Sequence, residues 1–157
     1  MMSKAAVLAA MLGVATIALA GCSATDTVRA IKGEPPPLGG SLEGGPWLVE
    51  DINGGGVPDS ARLDLTFDPG DQNTSRVAGR SGCNRFTGAW QQSGATIKLG
   101  PLAGTMMACA PALMDIEQKF LKTMEAVTTV SFDATGAALL KAPDGRAIKI
   151  RREAPAR

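Results

Sequence analysis

Apolar and polar residues alternate without a fault from Arg62 to Phe67, which predicts a strand with one wet face and places Leu63, Leu65 and Phe67 in the core. The same period runs through Trp47-Leu48-Val49-Glu50-Asp51-Ile52 until Asn53-Gly54-Gly55-Gly56 breaks it, while Asp68-Pro69-Gly70 turns the second run. Further short strands are predicted at Arg76 to Gly79, from about Cys83 to Trp90, and at Ala95 to Leu99, with a turn around Gly94 before the last. Alternate residues of a strand share a face, so Asn84, Phe86 and Trp90 point together while Cys83, Arg85 and Thr87 point the other way.

The period then changes. Pro111 opens a helix, where its missing N–H is harmless, and Leu113, Ile116, Phe120, Leu121, Met124 and Val127 fall along one stripe. Asp115, Glu117, Gln118, Lys119, Lys122 and Glu125 are assigned to the rest of the surface. The β-branched run Thr128-Thr129-Val130 leads into a strand through Phe132, followed by strands at Ala137 to Lys141 and Ala147 to Arg151, each preceded by a glycine-containing turn. The fold class predicted is α+β: a strongly twisted or partly closed antiparallel β-sheet of about seven to eight short strands packed with one α-helix.

Neither end of the chain shows this patterning. Residues 1–21 read as a signal peptide, with Lys4 ahead of an apolar, small-residue run that ends in Leu19-Ala20-Gly21-Cys22. That tetrapeptide resembles the bacterial lipobox, which implies that Cys22 is diacylated and becomes the first residue of the mature protein. Acyl chains on Cys22 are the expected contact with a membrane, and Ser23 after it resembles the sorting signal for the outer membrane. Residues 22–46, with Pro35-Pro36-Pro37 and two Gly-Gly pairs, read as a lipidated flexible tether. The folded domain is expected over 47–152, and 153–157 form a C-terminal tail. The cations Lys149, Arg151, Arg152 and Arg157 are expected on a solvated face at that end.

Composition narrows the chemistry. Of 157 residues none is histidine, which removes the usual general base, the commonest zinc ligand and the physiological-pH switch together. Removing Lys4 from the 16 basic residues leaves 15, level with the 15 acidic ones, so no charge excess draws the protein to nucleic acid. Aromatic content of 4% without tyrosine also leaves few surfaces for base stacking. No carboxylate pair or metal-ligand spacing stands out, so no catalytic residue, metal or cofactor is expected.

Cys83 and Cys109 are the two other cysteines. In an oxidising compartment they favour a disulfide, with two buried thiols or a redox-active pair as alternatives. They lie in the runs Ser81-Gly82-Cys83-Asn84-Arg85-Phe86-Thr87-Gly88 and Thr105-Met106-Met107-Ala108-Cys109. These runs resemble the signature of the META domain of HslJ-like envelope lipoproteins, whose marked positions here are Gly82, Asn84, Arg85, Phe86, Gly88, Thr105 and Met107. The residue after the threonine is commonly basic in that pattern; here it is Met106. Within the signature, Asn84 and Thr87 are expected to satisfy backbone groups and Arg85 to pair with Asp115 or Glu117. Gly82 and Gly88 are expected to permit positive φ or close approach of the chain.

The resemblance implies a non-catalytic lipoprotein, lipid-anchored in the outer membrane and facing the periplasm. It would support membrane integrity or stress and antibiotic tolerance through protein or lipid contacts. The alternative is an inhibitor or chaperone-like partner of an envelope or extracellular hydrolase.

Overall fold

The computed structural model describes residues 40–70 and 75–154. Cys22 and Arg157 lie outside the described residues, as do the signal peptide and most of the expected tether. In chain order the elements are β1 (Gly44–Ile52), β2 (Leu63–Asp68), β3 (Arg76–Ser81), β4 (Arg85–Ser93), β5 (Thr96–Leu99), β6 (Ala103–Gly104), α1 (Pro111–Met124), β7 (Thr129–Phe132), β8 (Ala138–Lys141) and β9 (Ala147–Arg152).

Neighbouring strands pair antiparallel in the order β3-β2-β1-β9-β8-β7-β5-β4-β6, and an additional β3–β4 ladder joins the two sides. Eight strands therefore close into a barrel, where the sequence predicts a sheet closed only in part. Closure removes the free edges that an open sheet would expose. The ring is uneven. β3 and β4 share five paired positions, from Arg76↔Ala89 to Arg80↔Arg85. β5 and β7 share Thr96↔Thr129, flanked by the bonds Ile97 N–H to Thr128 O at 3.0 Å and Val130 N–H to Ala95 O at 2.8 Å. β6 lies outside the ring, on the edge of β4 at Phe86 and Thr87.

Alternation fills the interior as expected. Leu63, Leu65 and Phe67 of β2 are buried, with Val77, Ile97, Val130, Leu140, Ile148 and Ile150 from the other walls. Two edge-on aromatic pairs, Phe67–Trp90 at 5.0 Å and Phe86–Phe120 at 5.4 Å between ring centres, bridge wall to wall and wall to helix.

The two ends are closed differently. β1 and β3 finish, and β2, β4 and β9 begin, at the end against which α1 packs, with Phe120 and Met124 fully buried. At the opposite end the segment from Gly40 to Glu43 crosses the opening and buries Leu42 completely. Gln92 latches it: its Oε1 accepts the Leu42 N–H at 3.0 Å and its Nε2 donates to the Gly40 carbonyl at 2.9 Å. The Trp47 indole N–H donates to the Leu42 carbonyl at 2.9 Å. Residues 40–46 thus belong to the folded domain, and the last three residues of the expected tether are the start of β1. A lone leucine among glycines carries no periodic signal, so the pattern missed it.

The C-terminal cations are also more engaged than a solvated face requires. Arg151 and Lys149 pair with Glu50 across β9 and β1. Arg152 lies 4.4 Å over the Trp47 ring and donates to the Glu43 carbonyl at 2.6 Å.

Candidate functional site

The signature residues meet at the helical end. Cys83 and Cys109 form a disulfide with Cα atoms 6.0 Å apart, which ties the start of β4 to the approach to α1. Two residues before Cys83, the β3 strand ends at Ser81; Gly82 then turns at φ +112°, and a side chain there would crowd Ile116 of the helix. Gly88 meets the chain instead: a Cβ would strike Leu102 and the Pro101 carbonyl, so the Pro101–Leu102 segment is able to lie flat on β4. Phe86 is buried against Phe120, while Arg85 and Thr87 are exposed, as the alternation predicts.

Asn84 and Glu117 hold the centre. Asn84 is 3% exposed and Glu117 8%, so neither can rely on bulk water and each polar atom needs a partner. The Asn84 Nδ2 donates to Glu117 Oε1 at 2.9 Å, and the Asn84 backbone N–H donates to Oε2 at 2.7 Å. The Ser81 hydroxyl faces both Oε2 at 2.8 Å and the Asn84 carbonyl at 2.9 Å. Its single proton favours the carboxylate, the more strongly charged acceptor. On its other side, Asn84 Oδ1 accepts the Thr105 hydroxyl at 2.8 Å and the Met107 N–H at 2.7 Å. Asn84 therefore reads the loop after β6 with its oxygen, and with its nitrogen both the helix and, at 3.3 Å, the Met107 carbonyl of that loop. Aspartate or leucine would fail at one contact or both.

Burial pushes the Glu117 carboxyl toward the neutral form. The Asn84 amide, the Ser81 hydroxyl and the backbone N–H groups of Asn84 and Cys83 outweigh it and hold the pKa below the ordinary value of 4.5. The carboxylate is thus ionised and buried, and its hydrogen-bond partners are all neutral.

This corrects the sequence analysis at three places, the first being Thr87, which is exposed on the outer face of β4 and satisfies no backbone group among the described residues with its side chain. Glu117 belongs to the buried stripe and not to the solvated face. Arg85 pairs with neither Asp115 nor Glu117 among the described residues; it lies on the outer face opposite Arg80. The missed signal was positional: Leu113, Glu117, Phe120 and Met124 stand at i, i+4, i+7 and i+11, so a glutamate occupies a core site of the helix.

Above the carboxylate is a cleft of about 250 Å³, lined by Asn84, Thr105, Met106, Met107, Met114 and Glu117 together with Ala108. Met106 is 98% exposed, Met107 56% and Met114 38%. No group of three or more His, Cys, Asp or Glu side chains is placed to hold a metal among the described residues.

The geometry can be set beside known proteins. A structure titled as a protein from Burkholderia xenovorans, solved by NMR, is 25% identical, covers 71% of this chain and 83% of its own, and superposes with a TM-score of 0.58. A second NMR structure, of a protein given without an organism, shares the fold at 23% identity and a TM-score of 0.53, covering 69% of this chain and 89% of its own. No curated protein matches by sequence. The META domain family model matches residues 40–155, beginning where the Gln92-latched segment begins and taking in every strand of the barrel and its helix. By that match the chain belongs to the META domain family.

Proposed function

We propose that this protein is a non-catalytic lipoprotein, anchored in the outer membrane through acyl chains on Cys22 and facing the periplasm. There its META domain supports envelope integrity or stress and antibiotic tolerance by contact with a protein or lipid partner. The observation that carries the non-catalytic part is the engagement of the buried polar cluster at the helical end. Ser81, Asn84, Thr105 and Glu117 bond to one another and to backbone, and the cysteines are joined, which leaves no polar side chain of that set free to attack or transfer a proton. The lipobox resemblance at Cys22 supports the anchor.

Palmitate labelling and membrane fractionation test it. Wild-type protein should carry label and sediment with outer membranes, whereas Cys22→Ala should lose the label and leave the membrane fraction. An unlabelled wild-type protein would overturn the anchor. For the non-catalytic part, a deletion strain should regain detergent and antibiotic tolerance when it expresses the Arg85→Ala/Thr87→Ala variant. Failure of that variant to complement, at native stability and abundance, would point to chemistry at the exposed half of the signature.

A further inference from the structure

Three of the seven methionines, Met106, Met107 and Met114, line a single cleft; Met1, Met2 and Met11 lie near the start of the chain and Met124 is in the core. Exposure of apolar side chains beside an otherwise well-packed domain calls for a physical reason, and the thioether supplies one that leucine would not. Its sulfur is a soft, neutral donor that favours monovalent copper or silver over hard cations. Each methionine also has three rotatable bonds, so a side chain on the cleft can re-aim its sulfur by changing rotamer.

A second observation comes from the floor. Glu117 lines the same cleft as an ionised carboxylate held by neutral donors, so the site carries a negative charge without a countercharge among its hydrogen-bond partners. A cation placed above it gains Coulombic stabilisation in a partly dehydrated setting. An apolar partner covering the cleft would instead remove that carboxylate further from water.

We infer that the cleft binds one soft monovalent cation, Cu(I) or Ag(I), through the thioethers of Met106, Met107 and Met114, with the Glu117 carboxylate beneath as an electrostatic support and not a ligand. The site is independent of whether Cys22 is anchored. No proton leaves on binding, because a thioether needs no deprotonation, and affinity should stay flat between about pH 6 and 8, unlike that of a thiolate or imidazole site.

The test uses the full chain carrying Cys22→Ala, which takes away the one thiol outside the disulfide. Ag(I) titration followed by methionine methyl NMR should move three methyl resonances together and saturate at one equivalent. The protein should also withdraw Cu(I) from bicinchoninate under ascorbate. Each of Met106→Leu, Met107→Leu and Met114→Leu, swaps that keep volume, should weaken binding by about tenfold or more. The triple variant should lose it while its circular dichroism stays native. Retained affinity in the folded triple variant, or no competition with the indicator by the parent protein, would overturn the site. So would vesicle binding through the methionines without any uptake of metal.

Discussion

At one end of the barrel, α1 is held by a disulfide and by a carboxylate that gathers donors from the end of β3 and the turn into β4; at the other, the Gly40-to-Glu43 segment is held by Gln92, the Trp47 indole N–H and the Arg152 guanidinium. Both ends bury apolar residues completely, Phe120 and Met124 in the first and Leu42 in the second. What differs is how the orientation of the covering segment is fixed. Apolar burial is non-directional, so it drives both closures without specifying either. The helical end adds a cluster of buried, directional bonds around one carboxylate and a covalent link, whereas the latched end adds one buried bond, from the Trp47 indole to Leu42, and several that are partly or fully exposed. The comparison teaches that the family signature gathers at the end where a packed helix must be set in one register and runs from there into the β4 wall at Phe86 and Gly88.

The largest effect should come from Glu117→Ala. Three buried donors lose a charged acceptor worth about 1.5–3 kcal/mol each; the Asn84 N–H is left with none, while the Ser81 hydroxyl and Asn84 Nδ2 fall back on the Asn84 and Met107 carbonyls, so a net loss of about 3–5 kcal/mol is expected in urea unfolding. A loss below 1 kcal/mol would make the carboxylate incidental to closure. Next, Cys83→Ala/Cys109→Ala should cost about 3 kcal/mol by the chain-entropy account of a 26-residue separation. Hydrogen exchange should show the loss concentrated in protection of α1 and β4, and a uniform loss over the barrel would erase the contrast between the ends. At the latched end, Gln92→Ala should cost only about 1 kcal/mol. Limited proteolysis should then cut near Gly40 while the helix stays protected.

The smallest signal is in pH. The folded Glu117 pKa lies below 4.5, so its contribution is fully present above that value and is lost as pH falls through the folded pKa. Glu50, Asp133 and Asp144 are depressed as well, by Arg151, Thr135 and Arg146 hydrogen bonds respectively as the main lowering cause, with burial opposing. They titrate in the same acid range, so the Glu117 part is read as the difference between wild type and Glu117→Gln. Parallel acid titrations of the two proteins would show that Glu117 has no special place among these carboxylates.

Much of this was legible in the sequence for simple reasons. Period two exposes β2 because Arg62 to Phe67 alternate strictly, and the helix announces itself by Pro111 and its stripe. Barrel closure was not legible, since strand patterns fix which side faces inward but not whether the first and last strands of a sheet find each other. β6 has two residues and no period. The site was half visible: spelling identified Asn84 and Thr105, and alternation put Asn84 inside with Phe86. Glu117 stayed hidden because residue type was given more weight than position. A charged residue in a core stripe implies donors waiting opposite it, and Ser81 and Asn84 were available.

The latched segment has a geometric consequence. The described chain enters the barrel at the Gln92 end, so an attachment made through residues ahead of Gly40 would join the domain at the end opposite the methionines. A nine-residue strand such as β1 measures about 30 Å along its length and less along the axis of a tilted barrel, so whatever the methionines meet lies a full wall height from the point where the chain enters.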